Sequence, residues 1–111
     1  MRIVFCSDSD RELFNDDRAL RARYGAPAQK QARRRLDDLL AASNLEVMRM
    51  LPGRCHELKG DRKGQLAVEV GRAKRLIFEP AEDPPPAKND GGLDWPQVVA
   101  IRILSIEDYH D

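Results

Sequence analysis

Two histidines, with a lysine, an arginine, an aspartate and a tyrosine among the candidates, have the side-chain types that metal-free cleavage of a phosphodiester beside a 2′-hydroxyl requires. That reaction takes three things. A base must accept the 2′-hydroxyl proton, cations must hold the charge gathering on phosphorus, and an acid must protonate the departing 5′-oxygen. Six side chains here have suitable types: His56, Lys59, Arg75, Asp108, Tyr109 and His110. Imidazole titrates near neutrality and serves as acid or base, and His56 and His110 are the only two histidines. Lys59 and Arg75 supply fixed positive charge, and Tyr109 can stack on a base or orient a phosphate. Each also has a plainer reading. His56 is otherwise a surface strand histidine, Arg75 the ion-pair partner of Glu69, and His110 a penultimate residue where chains fray.

The stretch that must position His56, Lys59 and Arg75 runs over residues 51–80, LPGRCHELKGDRKGQLAVEVGRAKRLIFEP. RCHELKG reads as a strand, and Asp61-Arg62-Lys63-Gly64 as a turn with Gly where positive φ is needed. Leu66, Val68 and Val70 alternate with Ala67 and Glu69, the period of a half-buried strand. Gly71-Arg72-Ala73 is a three-residue turn, and residues 74–80 alternate again through Leu76 and Phe78. Three antiparallel strands follow, with a predicted register. A loop at 61–64 pairs Gly60 with Gln65 and sets His56 against Glu69; a loop at 71–73 pairs Val70 with Lys74 and sets Glu69 against Arg75. His56, Glu69 and Arg75 then form one row, the outer two backbones roughly 10 Å apart. Leu66, Val68, Val70, Leu76 and Phe78 take the opposite face, which must meet a core. The Glu69 carboxylate repels a phosphate unless Arg75 neutralises it.

The rest of the chain supplies that core. Residues 2–6 (RIVFC) read as a short strand. Ser7 and Asp8 cap a helix, or two short ones, carrying Leu13, Phe14, Leu20 and Tyr24 and stopped by Gly25. Pro27 opens a longer helix with Ala28, Ala32, Leu36, Leu39 and Leu40 at helical spacing. Asn44 caps a short turn, LEVMRM. Arg33-Arg34-Arg35 on the long helix either grips a polyanion or forms a solvated face; three consecutive residues wrap most of a turn and do not share one groove. Residues 81–95 (AEDPPPAKNDGGLDW) are a polar Pro/Gly/Asp-rich loop, unusually long for a hairpin, with Trp95 placed to anchor it or to stack on a base. Residues 98–106 (VVAIRILSI) form a buried strand. The predicted fold class is α+β, N-terminal helices on one face of a mostly antiparallel four- to five-stranded sheet, in a single domain over 1–111.

HELKGDRKG, the arginine of KRLIFEP and the terminal IEDYH together resemble the HigB branch of the RelE/ParE toxin superfamily, the small toxins of bacterial type II toxin–antitoxin pairs. The motifs span residues 51–80 and 98–110. The resemblance implies a RelE-like fold and a ribosome-dependent, metal-independent mRNA endonuclease that inhibits translation. It implies catalytic roles for His56, Lys59, Arg75, Asp108, Tyr109 and His110; from their charge, Arg62, Lys63, Lys74, Arg33 and Arg34 are read as further RNA-binding cations. It also implies a cognate helix-turn-helix antitoxin, mRNA on the ribosome as partner, and no cofactor. Relatives of this kind join the corresponding strands by a short turn, which makes 81–95 an insertion. The alternative, from another function class, is a non-catalytic binding protein on the same scaffold: a ParE-like gyrase inhibitor or an inactive toxin homologue.

Charge is uneven beneath a net of zero. Residues 25–78 carry twelve basic and six acidic side chains, whereas residues 79–111 carry two basic and eight acidic ones. A basic middle suits a polyanion and an acidic tail does not. Cys6 and Cys55 form no disulfide framework and read as two buried thiols, which fits a cytoplasmic location. No Cys-x₂-Cys or His-x₃-His spacing suggests a metal, no glycine-rich phosphate loop is present, and no apolar run approaches the ~20 residues of a membrane span.

Overall fold

A computed structural model of the chain describes residues 1–108. Its elements run β1 (Arg2–Phe5), α1 (Asp8–Phe14), α2 (Asp17–Tyr24), α3 (Ala26–Ala41), a 3₁₀ segment Leu45–Met50, β2 (His56–Glu57), a 3₁₀ turn Gly60–Arg62, β3 (Leu66–Glu69), β4 (Lys74–Pro80), a 3₁₀ turn Trp95–Gln97 and β5 (Ala100–Asp108). The local signals explain the boundaries. Ser7 and Asp16 accept from backbone amides at the starts of α1 and α2. Gly25, at φ +90°, ends α2, and Pro27 sits in the first turn of α3. Asn44 accepts from the Glu46 amide and opens the first 3₁₀ segment.

The five strands form one sheet in the order β1-β5-β4-β3-β2. All neighbours are antiparallel except β1, which lies parallel to β5. The α+β expectation holds, with helices packed against one face. Leu66, Val68, Val70, Leu76 and Phe78 are fully buried there beside Leu20, Ala32, Leu36 and Leu39. Each large aliphatic or aromatic side chain so removed from water contributes about 1.5–3 kcal/mol. The cysteines differ from expectation: Cys55 is buried but Cys6 is exposed, with its thiol 3.6 Å from the Ile103 carbonyl. Burial pushes the Cys55 thiol up to about 12, opposed only in part by the charge of Arg49, so at neutral pH it is a protonated, inert core group. Among the described residues, no helix is long and apolar enough to cross a membrane.

The loop at 81–95 has internal structure. Ala87 bridges Leu93, the Lys88 amide donates to the Gly92 carbonyl, and the Asp94 amide to that of Pro86. Its base is tied to the sheet, where the Ala81 amide donates to Ala100 and the Val99 amide to the Glu82 carboxylate. Trp95 anchors it: the indole is 2% exposed, its Nε1–H donates to Glu57 Oε2 at 3.0 Å, and the Arg49 guanidinium lies 3.6 Å from the ring centroid.

Candidate functional site

The outer face of the sheet, away from the helices, collects three of the candidate side chains, His56, Arg62 and Arg75. Glu69 lies opposite Arg75, as the three-residue turn predicts, with the Val70 amide donating to the Lys74 carbonyl. The other half of the predicted row is corrected. His56 pairs with Ala67, two residues from Glu69. The cause is the length of the β2–β3 loop. Leu58 donates to the Gln65 carbonyl, and the 3₁₀ turn Gly60–Arg62 lies between them, with Gly60 and Gly64 at positive φ. A two-residue slip keeps every side chain on its face because the side-chain period is two. His56 therefore shares a face with Arg75 but stands diagonally from it, the backbones roughly 12 Å apart.

His56 is held in one tautomer. Its Nδ1 is 2.7 Å from the Arg54 carbonyl oxygen, and a carbonyl only accepts, so Nδ1 carries the hydrogen. In the neutral ring Nε2 then bears the lone pair a general base needs. The segment presenting it is built on a close approach. Gly53 takes φ +111°, its carbonyl accepts from the Glu69 amide at 2.8 Å, and a Cβ there would stand 2.6 Å from Val68 Cγ2. Arg54, at φ +51°, reaches Glu69 across an exposed 3.2 Å ion pair.

Arg75 is half-buried between two carboxylates, Glu69 on β3 and Glu107 on β5, both opposite it in register. Glu107 is the site residue that sequence reasoning missed. Arg62 grips it with two parallel bonds of 2.6 and 2.7 Å, and the Ser105 hydroxyl donates to Oε2 at 2.8 Å. The Arg62 bonds hold the Glu107 carboxyl down at about 2; burial opposes them, while the Ser105 bond and the charges of Arg62 and Arg75 assist. The same pairing raises the Arg62 guanidinium above its usual value. To make it, Arg62 leaves the β2–β3 loop and crosses β3 and β4. Ala67 and Ile77, which alternation points outward, are fully buried on that face. The alternation of β5, where Ile106 faces the core, puts Glu107 on the outer face but does not name its partner. The loop's return over the sheet carried no signal.

The remaining candidates scatter. Lys59 and Lys63 are exposed at the two ends of the 3₁₀ turn Gly60–Arg62. Lys74 and Asp108 pair with each other at facing positions of β4 and β5. Their alternation with Leu76 and Ile106 places them on the helix side of the sheet end, opposite to Arg75. Arg33 and Arg34 lie on α3, in the helix layer. Arg33 bonds Asp17 at 2.8 Å and the Phe14 carbonyl at 2.6 Å, tying α3 to the α1–α2 corner, while Arg34 is exposed. Tyr109 and His110 lie outside the described residues. Among the described residues no group of three His, Cys, Asp or Glu side chains is placed to hold a metal ion.

No family profile and no curated protein matches the sequence. Among solved structures, the chain is similar to a YoeB/ParE toxin from Agrobacterium tumefaciens, with a TM-score of 0.57 at 11% identity, covering 99% of this chain and 100% of that one. At that identity the likeness speaks to the fold. The arrangement of helices on one face of the five-stranded sheet is one this chain shares with that protein.

Proposed function

We propose that this chain is the toxin of a type II toxin–antitoxin pair and acts as a ribosome-dependent, metal-independent mRNA endonuclease of the HigB type. The observation that carries this reading is the shared outer face of His56 and Arg75, with the imidazole held so that Nε2 faces the task of a base. Arg75 stabilises the phosphorane, Lys59 adds charge from the adjacent loop, and Tyr109 and His110 supply substrate stacking and the acid, while Asp108 is engaged by Lys74. The toxin-type fold and the HELKGDRKG and IEDYH motifs support the same assignment. The partners in this reading are mRNA in the ribosomal decoding site and a helix-turn-helix antitoxin in the cytoplasm. The chain acts as one domain, with residues 81–95 an insertion. Primer extension on mRNA incubated with the purified protein tests it directly. Cuts that appear only when ribosomes are present are expected; no cuts with or without ribosomes would overturn it.

A second reading is favoured by one feature. Glu69 and Glu107 both face Arg75, and Glu107 occupies Arg62. Such a face suits a non-catalytic RelE/ParE-fold binder, a gyrase inhibitor or an inactive homologue. It predicts growth arrest, or none, with intact transcripts.

A further inference from the structure

The Glu107 carboxylate sits in a ready-made anion site. Two guanidinium N–H groups of Arg62 meet its two oxygens in a fork, the Ser105 hydroxyl adds a third bond, and Arg75 faces it from β4. Guanidinium recognises a phosphate through the same two-oxygen fork. The ligand now filling the site belongs to the chain itself, and it holds the β2–β3 loop across the outer face. Lys59 and Lys63 flank the 3₁₀ turn that carries Arg62, so the loop that must receive a polyanion is the one strapped down.

We infer that Glu107 is an internal stand-in for a backbone phosphate. It keeps Arg62 and its loop closed over the Arg75 face until a phosphodiester of single-stranded RNA displaces it. This rests on the nuclease reading for the identity of the ligand and on the geometry for the exchange. The exchange swaps one carboxylate–guanidinium pair for a phosphate–guanidinium pair, so the wild-type chain binds RNA more weakly than its basic residues alone would dictate. Its zero net charge has a local counterpart here: an acid placed on the cation that the substrate needs.

The test uses the full chain and a short, non-cleavable 2′-O-methyl single-stranded RNA. Glu107→Gln is close in shape and removes the competing charge. Glu79→Gln is the control, since Glu79 pairs with Arg102 at 2.8 Å further along β4 and its loss changes net charge equally. Glu107→Gln is expected to bind about tenfold tighter, the worth of one charge-assisted contact. The slope of log affinity against log salt should steepen by ~0.7, one further phosphate contact on a single strand. Glu79→Gln should change affinity less than twofold, and Arg62→Ala combined with Glu107→Gln should lose the gain. In the wild-type protein the Arg62 Nε–H resonance should shift as RNA is added, a reading that needs no variant to fold. Equal gains from both glutamine variants would reduce the effect to net charge and overturn the proposal, as would an Arg62 resonance unmoved at saturating RNA. Wild-type cleavage on ribosomes with no gain from Glu107→Gln would sink the stand-in alone. A gain without cleavage by either protein would sink the nuclease reading and leave the stand-in intact.

Discussion

At the scale of single residues, the site is a contest between cations and the chain's own acids. Glu107 decides where Arg62 points, and its titration is observable. Its folded value, about 2, lies below the ordinary carboxyl value of 4.5. A depressed carboxyl contributes stability above its unfolded value and loses it as pH falls through the folded one. The wild-type protein should therefore lose an increment of stability between about pH 4.5 and pH 2 that Glu107→Gln lacks. The pair is about one third exposed on both sides, so solvent screening limits that increment to about 1 kcal/mol. Urea melts of both proteins across that range would measure it, and parallel profiles would show that the pair adds nothing to stability. The residue types were legible from the start, since His56, Lys59 and Arg75 stand out by chemistry. Glu107 did not, because a bidentate pair between residues 45 positions apart leaves no mark in local spacing.

At the scale of elements, the alternating strands fixed the core and the turns fixed the register. The alternation of Leu66, Val68 and Val70 placed them correctly because one buried face over-determines a period of two. The turn at 71–73 was readable because Gly71 at φ +107° suits so short a connection. The β2–β3 loop was misread by two residues because Asp61-Arg62-Lys63-Gly64 also suits a 3₁₀ turn inside a longer loop. Two consequences can be measured. Val68 is fully buried, so Val68→Asp should abolish cooperative folding, since an unpaired buried charge costs several kcal/mol. Gly53→Ala adds a Cβ 2.6 Å from Val68 Cγ2 and 2.9 Å from Arg35 Nε at φ +111°. It should cost about 1–3 kcal/mol and disturb the segment that presents His56, which a thermal melt and the His56 imidazole resonances would report. Trp95 is the third case. Trp95→Phe keeps an aromatic ring but loses the bond to Glu57, about 1 kcal/mol, whereas Trp95→Ala should lose about 3–5 kcal/mol. Equal melting of the two variants would contradict an anchoring role. Shortening the loop must accordingly spare Trp95 and the tie from Glu82 to Val99.

At the scale of the whole molecule, the helices hold one face of the sheet and leave the other for charge. The first 24 residues balance five acidic against five basic side chains, and four of the acids, Asp8, Asp10, Asp16 and Asp17, sit at helix caps and first turns. Arg33 ties α3 to α1 and α2 through Asp17 and the Phe14 carbonyl. The central claim is that Arg75, on the outer face, stabilises a transition state rather than the fold. Single-turnover cleavage of ribosome-bound mRNA by wild type and Arg75→Ala, each checked by thermal melting, tests it most directly. The account predicts ribosome-dependent cuts by the wild type and a rate lower by ~10²–10³ for a folded Arg75→Ala, the usual cost of losing one such donor. Equal cleavage by the two folded proteins, or none by the wild type, would contradict it.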